Sequence, residues 1–311
     1  MKTKILEPKY FSKASSYVLS SSRALERNLY KYYFQDANPE KPLKELKNYQ
    51  NPDGGFGHGL EPDLRLPASS PIATVMAFRQ IELVEEAMDM YSELVRSAST
   101  YLENSFQSEN NRWYAVSSEV NDYPHAPWWH YDEAGGRTPI DEFWGNPTVE
   151  ALAYGLKYGG FSSDFKLDKL VDIAVKRINE TEIFESEHEI YCYLKLYETL
   201  PDKLAEKIED KLFDAVRQLV VTDPAEWNSY VPQPLNFVTE PDSPRFGISE
   251  VNLERNLNFL VETITKNGSV EPNWEWGQFE SEWERAKMEW TGILTLKSLI
   301  TLDKFGMVSH N

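Results

Sequence analysis

The chain has 311 residues, 41% of them apolar and 26% charged, which are the proportions of a globular protein and exclude a disordered or fibrous one. Its 32 basic residues face 50 acidic ones, a net charge of −18. That argues against a nucleic-acid binder, which needs a basic face for phosphates, and against docking on anionic lipid.

Along the first twenty residues, Pro8, Lys9 and Lys13 interrupt any apolar run, so export by a signal peptide is not expected. No stretch approaches the length of a membrane span. The single cysteine, Cys192, cannot close an internal disulfide, and a reducing, cytoplasmic location is the natural expectation.

Helical spacing dominates the chain. A first helix is predicted over 13–33 from Tyr17, Val18, Ala24, Leu25, Leu29, Tyr32 and Tyr33. Pro39 suits a first turn before Leu43, Leu46 and Tyr49, and Pro71 suits another before Ala73, Val75, Met76, Phe78 and Ile81. Residues 89–106 repeat the pattern, and Pro147 opens a helix that Gly159 and Gly160 end. Further helices are predicted at 165–179, 186–199, 202–220, 249–265 and 287–302, which makes ten, with an eleventh hidden in 223–247. No strand alternation is sustained.

Short connections (34–38, 85–88, 160–164, 180–185, 200–201) alternate with long ones (50–70, 107–146, 221–248, 266–286), apart from 180–185. In a run of antiparallel helices, alternate connections lie at the same end, which gathers the long loops on one rim. Loops of that length without structure of their own are usually functional or disordered, and the aromatic content of these argues against disorder.

A loose repeat runs through those loops: QNPDGGFG at 50–57, SENNRWYA at 108–115 and KNGSVEPNWEWG at 266–277, each between two helices. QNPDGGFG before a proline-started helix, and NGSVEPNWEWG before EWTGILTLKSL, resemble the repeat of the terpenoid cyclase and protein prenyltransferase superfamily, the squalene cyclase type. The resemblance implies an all-α fold: one domain over 1–311, an (α/α) toroid of five or six pairs of inner and outer helices around a cavity. The chemistry of those families does not carry over. The DxDD motif of the squalene-hopene type is absent, and Cys192 sits in HEIYCYL without the D-x-C of the zinc-binding prenyltransferase subunits.

Two loops concentrate groups able to do chemistry. GHGLEPDLR at 57–65 holds His58, Glu61, Asp63 and Arg65, a density that a mere connection does not need. Glu61 and Asp63 can form a carboxylate pair in which one member, its pKa raised, acts as an acid, with His58 orienting or relaying a proton. The bland alternative is an Arg65–carboxylate clamp. DYPHAPWWHYDEAGGR at 122–137 holds His125, Trp128, Trp129, His130, Tyr131, Asp132, Glu133 and Arg137. If both loops share a rim, Asp63 and Asp132 can face each other across its mouth, at the spacing that glycoside hydrolysis uses. A divalent metal held by His58, His130, Asp63 and Asp132 is an alternative, but no His-x-x-His or Cys-x-x-Cys spacing supports it, and no cofactor is expected.

The nine tryptophans fall in the long loops or at the edge of the last helix. Indole faces at a cavity mouth stack on sugar rings and stabilise carbocations. Trp128, Trp129, Tyr131, Trp144, Trp274 and Trp276 are therefore expected to line the substrate, with Arg65 and Arg137 as the cations near the rim. His188 and Cys192 share a helix face, where packing is the expected role. Asp53, Gly54, Gly55 and Gly57 read as a structural turn.

The leading expectation is a pocket enzyme using acid–base chemistry on a hydrophobic or ring-shaped neutral small molecule. Asp63 or Asp132 would donate the proton, with Glu61, His58 and His130 beside them. A carbohydrate-active hydrolase or lyase on a helical toroid is the competing enzyme class, and a non-catalytic binding module the third reading. Neither nucleic acid nor a membrane span is expected, and the sequence is silent on oligomeric state.

Overall fold

The computed structural model describes residues 4–84 and 92–309. The helices formed among them are α1 (Pro8–Ser21), α2 (Ala24–Phe34), α3 (Glu40–Leu46), α4 (Pro71–Glu82), α5 (Ser92–Ser105), α6 (Gly145–Tyr158), α7 (Leu167–Glu180), α8 (Glu187–Thr199), α9 (Asp202–Leu219), α10 (Pro234–Phe237), α11 (Glu250–Asn267) and α12 (Glu280–Lys304). Among the described residues, extended pairing is limited to isolated bridges such as Leu64 with His125. The protein is all-helical, as expected.

Three differences from the sequence reading have local causes. The helix expected over 13–33 is two, because Ser22 and Arg23 take extended backbone between α1 and α2. The helix expected at 287–302 begins at Glu280, so the acidic run ESEWERAKME belongs to it. Its Trp283, Ala286 and Glu289 are buried, and that run is not simply an outer face. Trp283 thus lies inside a helix rather than in a loop, and Trp290 lies well within the helix rather than at its edge. The helix hidden in 223–247 is the single turn α10. The connection expected at 85–88 and the helix start at 89 lie outside the described residues.

Proline sets a helix start as anticipated at Pro71, and serine caps add to it. Pro71 occupies the first turn of α4, and the Ser70 hydroxyl accepts from the Ala73 N–H. Ser186 and Ser249 cap α8 and α11 the same way. Gly268, at φ +80°, ends α11 in the left-handed conformation.

Burial divides the helices into two kinds. In α9 the buried residues are Ile208, Leu212, Ala215 and Val216, one stripe at four- and three-residue steps, and the rest of the helix faces solvent. Helices α5 and α7 follow that pattern. In α4, Pro71 through Phe78 are all buried, and in α6 so are Gly145 through Gly155. Such helices are enclosed by others, and their small residues (Ala73, Ala77, Ala151, Ala153, Gly155) allow close approach.

Alternate helices pack on one another, α4 on α6 and α6 on α8, while α12 packs on α11 and also on α1 and α2. The two ends of the described chain are joined directly. The Leu6 N–H donates to the Met307 carbonyl at 2.8 Å, and Ser309 N–H returns to Leu6 at 3.1 Å.

Candidate functional site

The loop 50–70 is built by close backbone approaches. Asp53 Oδ1 accepts from the Gly55 N–H (3.0 Å) and from the Ser69 hydroxyl (2.7 Å), and Phe56 is fully buried between the loop's two arms. A Cβ on Gly57 would stand 2.2 Å from the Ala68 carbonyl oxygen, so only glycine lets the arms pass. The expected structural role of this turn is what the contacts show. Arg23, at the start of α2, holds the next stretch through the Gly59 and Leu60 carbonyls (3.1 and 3.0 Å).

This frame turns Glu61 and Asp63 inward. Both are buried, at 6% and 3% exposure. The Asp63 N–H donates to Glu61 Oε1 at 3.2 Å. Both Asp63 oxygens accept from indoles of the loop before α12: Oδ1 from Trp276 Nε1 at 2.7 Å and Oδ2 from Trp274 Nε1 at 3.2 Å. The indole of Trp290 stands edge-on to Trp274, ring centroids 5.2 Å apart.

Burial raises the pKa of both carboxyls, Glu61 to about 8 and Asp63 to about 6. The negative charge of Asp63 adds to the rise of Glu61, whereas the indole N–H groups and Arg65 restrain that of Asp63. At neutral pH the pair therefore holds a proton, mainly on Glu61. Glu61 Oε2 has no hydrogen-bond partner among the described residues.

The loop 107–146 meets this one through its backbone. Arg65 N–H donates to Pro124 O (3.0 Å) and Ala126 N–H to Asp63 O (2.9 Å). Gln278 then reaches the His125 carbonyl at 2.8 Å, and Asn273 reaches the Ser229 carbonyl at 2.6 Å, so the loop 266–286 touches each of the other three long loops. A second apolar cluster fills the space beneath, including Leu64, Leu66, Trp129, Trp276 and Trp283.

The other expected site residues separate sharply. Asp132 is exposed, and its two oxygens accept from Ala134 N–H (3.1 Å) and Gly135 N–H (2.9 Å) of its own turn. The expected pairing of Asp63 with Asp132 is replaced by that of Asp63 with Glu61. Arg137 closes the same exposed turn and lies 4.0 Å from Glu142. His130 is exposed, its Nδ1 3.3 Å from Nε2 of the buried His125.

His58 is exposed and bonds Asn51 at 2.8 Å. With Arg65, Glu282 and Arg285 it borders a surface pocket of about 310 Å³. Arg65 is a clamp in part: Nη1 donates to Glu289 at 2.8 Å, while its buried Nε and Nη2 have no hydrogen-bond partner. Trp128 and Tyr131 flank the second cluster, half-buried. Trp144 lies elsewhere, under Arg177 at 4.7 Å, on a pocket of about 190 Å³. Among the described residues no group of three or more His, Cys, Asp or Glu is placed to hold a metal.

The structure also adds groups that the sequence reading passed over. Arg79 of α4 has a side chain 44% exposed, and Lys297 of α12 is exposed. Yet burial is the largest influence on the pKa of each, and it lowers that of Lys297, as does the nearby charge of Arg79. His188 Nε2 meets the Tyr230 hydroxyl at 2.7 Å, and burial lowers its pKa. Of the expected packing pair, only Cys192 is packed, its Sγ 3.7 Å from Glu150.

The charge of Arg79 bears on the pKa of both Glu61 and His188, and those of Glu187, Asp63 and Glu61 on that of Tyr230. Tyr230 stands edge-on to Trp274 at 5.7 Å, which links His188 to the indoles that hold Asp63. The available signal was a row on α12 at helical steps, the half-buried Trp290, Ile293 and Leu294 followed by the exposed Lys297.

No family model, curated protein or solved structure matches the chain. The likeness to the cyclase and prenyltransferase repeat therefore rests on the motifs alone.

Proposed function

We propose that the protein is an acid–base enzyme acting on a polar, ring-shaped small molecule of the carbohydrate class, as a hydrolase or lyase. The observation that carries this reading is the buried Glu61–Asp63 pair, linked through Trp274 to Tyr230 and His188, groups that would wall a recess. Glu61, neutral at physiological pH and with one free oxygen, donates the proton. Asp63, fixed by two indoles, keeps the negative charge that holds that proton on Glu61. His188 and Tyr230 form a second proton-handling pair across the recess.

The helix packing supports the finer fold reading, an (α/α) toroid in which α4 and α6 are inner helices and α5, α7 and α9 outer ones. The return of α12 to α1 and α2 would close the ring. The recess would be its mouth.

Charge in the recess favours sugar over isoprenoid. Arg79, Lys297, Glu187 and His188 would be poor company for a hydrocarbon chain. A ligand-binding module without chemistry is the second reading, favoured by the capping of both Asp63 oxygens. The test is product detection by mass spectrometry over neutral and acidic oligosaccharides and isoprenoid alcohols, with wild type and Glu61→Gln. The reading expects a saccharide product that Glu61→Gln abolishes. Isoprenoid turnover, or saccharide turnover surviving in Glu61→Gln, would overturn it. Saturable binding without product would support the module.

A further inference from the structure

The surface pocket beside His58 is lined from three segments, and neither Glu61, Asp63 nor their indoles belong to its wall. Loop 50–70 supplies His58, Gly59 and Arg65, loop 107–146 supplies Pro124, and the first two turns of α12 supply Glu282 and Arg285. Its volume of about 310 Å³ is at the lower end of small-molecule sites. Two of these side chains are cations and a third can become one, in a chain whose net charge is −18.

Arg65 anchors the pocket. Its side chain is only 10% exposed, yet a single nitrogen is bonded, Nη1 to Glu289 Oε2 at 2.8 Å. Nε and Nη2 are buried and have no hydrogen-bond partner among the described residues. Buried donors of a charged group cost stability when they stay idle, and an acceptor entering the pocket would relieve that. Glycine at 59 leaves the guanidinium its place, since a Cβ there would stand 3.1 Å from Arg65 Nη1.

Arg285 brings a second guanidinium. Its Nε donates to Glu289 Oε1 at 3.1 Å, and its two Nη groups have no partner among the described residues. One carboxylate thus serves both arginines. Glu282, the carboxylate on the wall, lies 3.9 Å from Arg65 Nε, beyond hydrogen-bond reach, and is exposed enough to turn toward water.

His58 is held in one tautomer. The amide nitrogen of Asn51 donates to Pro67 O at 3.0 Å and Ser69 Oγ at 3.1 Å, so its oxygen faces His58 Nε2, which carries the proton. Nδ1 of His58 has no partner among the described residues. Two guanidinium groups with idle donors and an imidazole on one pocket suit an anion with more than two oxygens, and the volume exceeds what a bare ion fills.

We propose that this pocket binds a phosphate group, carried by a small phosphomonoester, with Arg65 and Arg285 holding its oxygens and His58 closing the third side. The site needs nothing from the acid–base reading above, and either can fail alone.

Isothermal titration calorimetry of the full chain at fixed ionic strength tests this. The probes are glycerol 3-phosphate, glucose 6-phosphate, inorganic phosphate and acetate. Saturable binding of at least one ester, tighter than inorganic phosphate and roughly tenfold tighter than acetate, is expected. Arg285→Gln changes a side chain that is 67% exposed, so folding is not at stake, and it should weaken the ester roughly tenfold. His58→Asn suits the left-handed backbone at φ +54° and should also weaken it. Glu282→Gln removes the carboxylate from the wall and should tighten it. No binding of any phosphate, acetate bound as tightly as the esters, or affinities that Arg285→Gln and Glu282→Gln both leave unchanged would overturn the site. Inorganic phosphate bound more tightly than both esters would overturn the ester and assign the site to the free ion.

Discussion

The loops 57–65 and 122–137 are equally rich in ionisable groups, and the molecule uses them in opposite ways. In the first, Glu61 and Asp63 are turned under a roof of indoles and hold a proton between them. In the second, Asp132 caps its own exposed turn, and His130, Glu133 and Arg137 face water. Density of titratable residues in a sequence does not mark a reactive site. What decides is whether other segments desolvate the groups, and for Asp63 the deciding ones, Trp274 and Trp276, come from 211 and 213 residues downstream.

The sharpest way to break this contrast is Glu61→Gln. Glutamine keeps an acceptor for the Asp63 N–H but cannot deliver a proton, so turnover of an identified substrate should fall by roughly 100- to 10,000-fold. A circular-dichroism melt should move little.

The next effect concerns packing. Gly57→Ala drives a methyl group into the Ala68 carbonyl and should cost about 3 kcal/mol in urea unfolding. Gly135→Ala meets only the end of the Asp132 side chain, 2.6 Å away, which can swing aside, so its cost should be smaller.

Trp276→Phe removes the shorter of the two indole bonds to a buried carboxylate. It should cost about 1–3 kcal/mol and push the Asp63 pKa further up. A comparable loss from Trp128→Phe would show that the two loops are less different than described.

The carboxyl pair also sets a pH dependence. Both pKa values are raised on folding, so between the unfolded values and the folded ones the native state holds the extra proton. The stability contributed by these groups is therefore greatest at acid pH and is lost as pH rises toward about 8, the Glu61 value. Glu61→Gln should flatten that slope in melts taken between about pH 5 and about pH 9. Smallest of all is Asp132→Ala, a loss of about 1 kcal/mol from an exposed turn with no effect on turnover.

Much of the architecture was legible because it is local. Pro71 with Ser70, the Gly159–Gly160 stop and the stripe of α9 each act over one or two turns, where periodicity and capping carry the information. The break between α1 and α2 was not legible, since Ser22 and Arg23 fit a helix as well as they fit extended backbone. Within the site, the Glu61–Asp63 pair could be anticipated because two residues of spacing keep the carboxyls close. Lys297, Arg79 and the His188–Tyr230 pair could not. Arg79, His188 and Lys297 sit on helices whose pattern reads as ordinary, Tyr230 in a loop, and the contacts of His188 with Tyr230 and of Tyr230 with Trp274 depend on packing between segments distant in the chain. Asp132 misled for the converse reason: an Asx-type turn cap uses the same residue as a proton donor.

The central claim is that the Glu61–Asp63 pair retains a proton at neutral pH. Infrared difference spectroscopy of wild type minus Glu61→Gln, titrated through the neutral range, measures it directly. A carboxylic C=O stretch that is present at neutral pH and disappears near the Glu61 value of about 8 is the predicted result. A Glu61 carboxyl already ionised at neutral pH, titrating near the ordinary glutamate value of about 4.3, would contradict it.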